Sequence, residues 1–180
     1  SNEAPGEHFT PRDAIRLLVD LVFAGDDEAL STQGTIRSIY DPTAGTGGML
    51  SIAEENLVGT PEKPGLNPDA QLRLYGQEWN DQSYAVCKSD LLIKGQDPSN
   101  IQLGDTLADD KFAGRTFDYC MSNPPYGTDW KSSQAAVMDD LKEFGNGSRF
   151  YAGNATPMKN VPAVSDGQML FLQHVVSKLR

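Results

Sequence analysis

Apolar side chains recur three and four residues apart at Ile15, Leu18, Val19 and Val22, with Thr10 where an N-cap belongs, Pro11 at the first helical position and Gly25 at the close. That spacing predicts a helix over 10–25. The period then changes: "TIRSIYDP" (35–42) is a short β-branched and aromatic run entering "TAGTGG", after which "MLSIAEENLV" returns to helical spacing. This is a strand, a glycine turn and a helix. A connection rich in Pro and Gly (59–71) leads to a second strand, "LRLYGQE" (72–78), and to a helix over 80–95 with an Asn or Asp cap and a terminal Gly. Two more strands are predicted at "IQLGDTL" (101–107) and "TFDYCMSN" (116–123). Residues 131–165 read as loop-rich, around "GNGSRFYAGNATPMKN", and "DGQMLFLQHVVSKLR" (166–180) as a closing helix.

Strands alternating with helices predict an α/β fold, a parallel sheet with flanking helices, wound right-handedly and binding ligands at the carboxyl ends of its strands. Those ends carry Asp41, Glu78, Asp105 and Asn123. No strand is predicted after the last helix, so the sheet is expected to end at four strands. An unpaired parallel edge invites association, so either the segment after the fourth strand covers it or the natural chain continues. The opening Ser1-Asn2, without methionine, reads as a remnant of tag removal and agrees with a piece of a longer chain.

Composition narrows the picture. A length of 180 residues suits one domain, and no apolar run approaches the ~20 residues of a membrane helix. The two cysteines, Cys87 and Cys120, have no metal-ligand or CxxC neighbours and read as reduced packing thiols, which favours a cytoplasmic setting with no metal and no covalent intermediate. Fifteen Lys and Arg against twenty-five Asp and Glu give a net charge of -10. A chain that holds nucleic acid by its own electrostatics neutralises phosphates with basic residues, so any such grip here must be local or supplied by partners.

In "DPTAGTGG" the glycines Gly45, Gly47 and Gly48 stand between strand and helix, where backbone amides can approach a ligand closely. The spacing is not GxGxxG, since Leu50 stands where the third glycine should be, and Asp41 before the turn would repel a pyrophosphate. An acidic group there suits a cofactor bearing positive charge, such as an ammonium or a sulfonium; S-adenosylmethionine carries both. Glu78 could accept both hydroxyls of a ribose, Trp79 could cover an adenine face, and Asp105 could accept from an adenine amino group. The plainer alternative for each carboxylate is a helix cap or a solvated loop residue.

"SNPPYGTDW" (122–130) poses a similar choice between a turn and a clamp. The residue before a proline is pushed into extended geometry and each proline fixes its own φ, so Asn123, Pro124 and Pro125 hold the Asn123 side chain and the Pro124 carbonyl in a defined relation. An exocyclic amino group is a poor nucleophile while its lone pair is delocalised into the ring. Two fixed acceptors can draw its hydrogens out of plane and stabilise the charge that develops on nitrogen as a methyl arrives. Tyr126 would stack on a base that has left the duplex.

Taken in order, "GEHFTPR", "DPTAGTGGML", "GQEWN", "GDTL" and "NPPYGTDW" resemble the modification subunits of type I restriction-modification systems, DNA adenine-N6 methyltransferases, over 6–130, and "DGQMLFLQHVVSKL" extends the match. The resemblance implies a Rossmann-like methyltransferase fold cut short before its last strands, using S-adenosyl-L-methionine. It implies an amino-terminal cofactor-motif helix over 5–25, a cofactor-binding and catalytic core over 35–130, the loop-rich 131–165 and the helix 166–180. Residue by residue, it gives a cofactor set of Glu7, His8, Phe9, Thr10, Pro11, Arg12, Asp41, Gly45, Thr46, Gly47, Gly48, Glu78, Trp79, Asp105 and Thr106, and a catalytic set of Asn123, Pro124, Pro125 and Tyr126. Within the first set Phe9 and Thr10 would surround the methionine half, while His8 would be scaffold and Arg12 could be a plain helix residue. Implied partners are double-stranded DNA with a flipped adenine, a specificity subunit and a restriction subunit, with no membrane. The family's chains carry a helical domain before the cofactor motif and further strands after this helix; the sequence in hand has neither. Transfer to cytosine N4 or to a protein glutamine, or a cofactor-binding fragment inactive in isolation, are the alternatives.

Overall fold

A computed structural model of the chain describes residues 10–151 and 161–180. Four parallel strands form its sheet: β1 (Ile36–Asp41), β4 (Gln71–Glu78), β5 (Ile101–Leu103) and β6 (Tyr119–Cys120), in the order β5-β4-β1-β6. A small antiparallel pair, β2 (Gly59–Thr60) and β3 (Lys63–Pro64), lies inside the connection expected to be plain loop. Alternation along β1 sends neighbours to opposite faces. Ile39 joins one core with Ile15, Val19, Phe23, Leu50, Leu72 and Leu74, while Tyr40 joins an aromatic cluster with Tyr75, Phe112 and Phe117. The first core is covered by α1 (Arg12–Phe23), α3 (Gly48–Leu57) and α4 (Asp81–Ile93).

The opposite face is closed by α6 (Gln168–Lys178) through a buried polar chain. His174 Nδ1 lies 2.9 Å from Arg149 Nη1, and its Nε2 lies 3.1 Å from the Tyr40 hydroxyl. Arginine can only donate, so Nδ1 accepts and the proton of the neutral imidazole sits on Nε2, facing Tyr40. Burial, then the nearby guanidinium, pushes the His174 pKa down to about 3, which keeps it neutral and structural.

Several sequence expectations change here. The third predicted strand stops at Leu103, because Asp105 folds the chain into a turn by accepting from Leu107 N at 2.9 Å. The fourth shortens to Tyr119–Cys120, because the Asp118 carboxylate takes the Ser38 amide at 2.7 Å and its hydroxyl at 2.6 Å in place of a strand partner. Thr10 does not cap α1, which starts at Arg12 with Pro11 in the cap position and no side-chain cap bond. Residues 131–165 are not simply loop: a 3-10 turn (Lys131–Ser133) leads into α5 (Gln134–Phe144), whose Val137 and Leu141, one turn apart, pack with Leu107, Trp130, Phe150 and Leu170. A short helix, α2 (Asp27–Ser31), capped by the Asp26 side chain, had no apolar period to announce it. After α6 the chain returns to the sheet, where Leu179 forms a parallel bridge with Phe117, so the β6 edge does not end the pairing.

Candidate active site at the carboxyl ends of the strands

Because the chain runs from β1 to β4 and β5 on one side and then crosses to β6 on the other, the order of the sheet reverses beside β1. A crevice at such a reversal is where doubly wound sheets bind ligands. Asp105, Glu78, Asp41 and Asn123 end or follow β5, β4, β1 and β6, so the four predicted residues line one sheet edge in the order of their strands.

Asp41 is buried, 2% exposed, and its Oδ1 accepts from Thr43 N at 2.9 Å and Thr43 Oγ1 at 3.2 Å. Burial outweighs these two bonds and, with the like charge of Glu78 adding, pushes the Asp41 pKa up to about 7. Glu78 is buried too, with Oε2 accepting from Gly45 N at 2.7 Å and Oε1 from Asn80 N at 2.8 Å. The Gly45 amide is therefore turned to Glu78 rather than left for a ligand. Among the described residues neither Asp41 nor Glu78 pairs with a lysine or arginine.

The glycine turn has a packing reason as well as a conformational one. Gly47 has φ +83°, and a Cβ there would stand 2.6 Å from Cys87 Sγ. Gly48 opens α3, and Thr46 lies between Gly45 and Gly47, half-buried. Burial pushes both thiols, Cys87 and Cys120, up to about 12, so neither is a thiolate near neutral pH.

Asp105 and Thr106 are used internally in a way the sequence did not reveal. The Asp105 Oδ2 accepts from Ser133 Oγ at 2.6 Å and its Oδ1 from the Leu107 and Ala108 amides of the turn, which leaves Oδ2 one further lone pair. Thr106 is buried and donates to the Pro42 carbonyl at 2.5 Å, which ties the β5 loop to the end of β1; the structure gives it a scaffold role rather than a free cofactor contact. Trp79, next to Glu78 in sequence, is 74% exposed. Glu7, His8 and Phe9 lie outside the described residues, and Pro11 and Arg12 are exposed at the start of α1.

The loop that carries "NPPY" is held at three points. Ser122 Oγ meets Thr43 Oγ1 at 2.9 Å; with the Thr43 proton given to Asp41, Ser122 donates, making a chain Ser122, Thr43, Asp41 across the crevice. Asn123 Nδ2 donates to Thr10 Oγ1 at 3.0 Å. At the far end Trp130 is buried, donating from its indole to the Ala163 carbonyl at 3.0 Å and from its backbone to Val164. Between these anchors Asn123, Pro124 and Pro125 are half-buried and Tyr126 is 68% exposed. Thr43, Ser122, Trp130 and Ser133 were missed by sequence reasoning. Only their adjacency to the glycine turn and to "NPPY" could have marked them.

Among the described residues no His, Cys, Asp and Glu come together in a group able to hold a metal ion, and no helix is long and apolar enough to cross a membrane. The methylase subunit of the type I restriction enzyme MjaIX of Methanocaldococcus jannaschii is 33% identical over 142 residues, which cover 78% of this chain and 23% of that protein. The MjaVII methylase subunit of the same organism is 30% identical over 148 residues, 81% of this chain and 22% of that protein. The chain thus spans under a quarter of the length of these two relatives. Its fold matches the methyltransferase subunit of a type I restriction-modification system from Streptococcus thermophilus, with a TM-score of 0.71 at 24% identity over 99% of this chain and 33% of that one. The sequence pattern of the N-6 DNA Methylase family matches all of residues 1–180, and the chain belongs to that family.

Proposed function

We propose that this chain forms the cofactor-binding and catalytic part of an enzyme that transfers a methyl group from S-adenosyl-L-methionine to N6 of adenine in DNA, as the modification subunit of a type I restriction-modification system. The observation that carries the reading is electrostatic. Two buried carboxylates, Asp41 and Glu78, stand at adjacent strand ends without a basic partner among the described residues, beside a loop whose fixed acceptors suit an amino group. A buried charge without a counter-charge is costly, and a cationic ligand offsets that cost. The residues therefore fit S-adenosylmethionine, which when bound supplies an electrophilic methyl group on a sulfonium.

In this reading Asp41 faces the positive charge of the cofactor and Glu78, fixed by the Gly45 and Asn80 amides, offers its remaining lone pairs to the ribose hydroxyls. Asp105, oriented by Ser133, faces the adenine amino group, and Trp79 covers the ring. The Gly45 to Gly48 turn, with Thr46, gives the close backbone approach, while the Gly45 amide itself stays on Glu78. On the substrate side, the Thr10 contact leaves Asn123 Oδ1 as the open acceptor. That oxygen and the Pro124 carbonyl hold the two hydrogens of the target amino group, while Tyr126 stacks on the flipped base. Catalysis comes from positioning and from these two acceptors. The acidic charge of the chain agrees with a DNA grip shared with the specificity and restriction subunits.

The test is a transfer assay with labelled S-adenosylmethionine, using the protein at its full natural length together with its partner subunits. Label in N6-methyladenine of duplex DNA is the expected result. Label in N4-methylcytosine or in glutamine would reject the assignment of substrate.

A further inference from the structure

Asn123 can serve as an acceptor only if its amide is turned the right way. The terminal torsion of an asparagine is soft and roughly two-fold, so nothing in the residue itself prefers Oδ1 over Nδ2 toward the crevice. The wrong face presents N–H groups to the N–H groups of a substrate amine, and like poles meet. The side chain therefore needs a contact from outside the loop to hold it, since the effect of the prolines is on the backbone.

We infer that Thr10 is that positioning residue: its hydroxyl accepts from Asn123 Nδ2 and so holds the side-chain amide in place, with Oδ1 left for the target amino group. Its Oγ1 is 3.0 Å from Asn123 Nδ2, across 113 residues of sequence. Thr10 is half-buried, and its backbone is constrained by the Pro11 that follows it. That proline leads directly into α1, which Ile15, Val19 and Phe23 bury in the same core as Leu50 of α3 and Ile39 of β1. The hydroxyl thus stands two residues before a packed helix. The Ser122 contact to Thr43 fixes the adjacent residue, so the asparagine is held through its neighbour's hydroxyl and through its own amide. The role differs from the one the family resemblance gives Thr10, a contact to the methionine half of the cofactor, and the two predict different kinetics. A cofactor contact acts on cofactor affinity; a positioning contact acts on turnover.

The inference rests on Asn123 being the amino-group acceptor, and the experiment separates the two. Thr10→Val, Thr10→Ser and Asn123→Ala are compared in the full-length protein with its partner subunits, using S-adenosylmethionine and an adenine-containing duplex. Thr10→Val is expected to lower kcat about tenfold while KM for S-adenosylmethionine stays within about twofold, and Thr10→Ser, which keeps the hydroxyl, is expected to restore turnover. The side-chain amide protons of Asn123, followed by NMR without cofactor, are expected to exchange faster in Thr10→Val and to stay protected in Thr10→Ser. If Thr10→Val fails to fold, Thr10→Ala replaces it in both readouts. Unchanged kcat in Thr10→Val while Asn123→Ala abolishes transfer would overturn the positioning role and leave the acceptor reading standing. A raised KM with kcat kept would make Thr10 a cofactor contact instead. Full activity in Asn123→Ala would remove the acceptor reading and this inference with it.

Discussion

The two ends of the sheet carry charge in opposite ways. At the amino ends of the strands, Arg37, Arg73, Arg115 and Arg180 surround a cavity of about 150 Å³ together with Asp118. Its charges are largely answered from within the chain. Arg37 meets Asp26 through Nε at 2.7 Å and Nη2 at 3.1 Å, Arg180 meets Asp118 at 2.8 Å, and the Arg115 guanidinium lies 4.7 Å from the Tyr75 ring centre. Asp26 also accepts from the Tyr119 hydroxyl at 2.6 Å and caps α2, and the Arg37 guanidinium holds its carboxyl far below the usual range. At the carboxyl ends, Asp41 and Glu78 are more deeply buried and have only neutral donors. Charge that is paired serves the fold; charge that is buried and unanswered is a cost the fold bears for a ligand. The cavity at the amino ends is therefore not the candidate for the chemistry.

Substitutions at the two ends should accordingly separate turnover from stability. The largest effect expected is on transfer: Asn123→Ala should lower the methylation rate by about 10²–10³-fold, as loss of a preorganised charge-stabilising group does, with the melting temperature unchanged. A rate within threefold of wild type would break the clamp. Next, Gly47→Ala should destabilise by about 2–4 kcal/mol in chemical denaturation, from a left-handed backbone combined with the contact to Cys87 Sγ. Adding Cys87→Ala should recover the steric part of that loss and leave the backbone part. At the amino end, Asp26→Ala should cost about 2 kcal/mol by leaving Arg37 and Tyr119 without their acceptor, and should not alter cofactor affinity.

A further expected effect is a pH slope. An unfolded aspartate titrates near ~4, whereas Asp41 in the folded chain is pushed up to about 7, so the folded state holds an extra proton between those values. Its stabilising contribution is complete below the lower value and is lost as pH rises through about 7. Asp41→Asn should flatten that slope in melting curves from pH 4 to 8. Affinity for a cationic cofactor should move the other way, rising as pH climbs toward 7 in wild type and staying flat in the variant.

Much of this was legible in the sequence. The period of β1, the glycine turn and the two prolines announce themselves through residue types with few conformational choices, and Asp41, Glu78, Asp105 and Asn123 were placed on one edge by strand order alone. What stayed hidden was the use of small hydroxyls. Thr10, Thr43, Ser122 and Ser133 carry no period and no unusual composition, and their roles come from contacts spanning 28 to 113 residues. α5 was hidden for a different reason, since only Val137 and Leu141 of its residues are buried, too few to set a clear period. Asp105 and Thr106 show the converse: both were expected at a ligand, and both side chains tie loops together.

The central claim is that Asp41 and Glu78 form the seat of a cationic, ribose-bearing cofactor, separate from the Asn123 clamp. Calorimetric titration with S-adenosylmethionine at pH 8 tests it most directly, in wild type, Glu78→Ala and Asn123→Ala. One site is expected in wild type, binding weakened at least about 100-fold in Glu78→Ala, and undiminished affinity in Asn123→Ala. No heat in the wild type, or equal affinity in Glu78→Ala, would contradict the account.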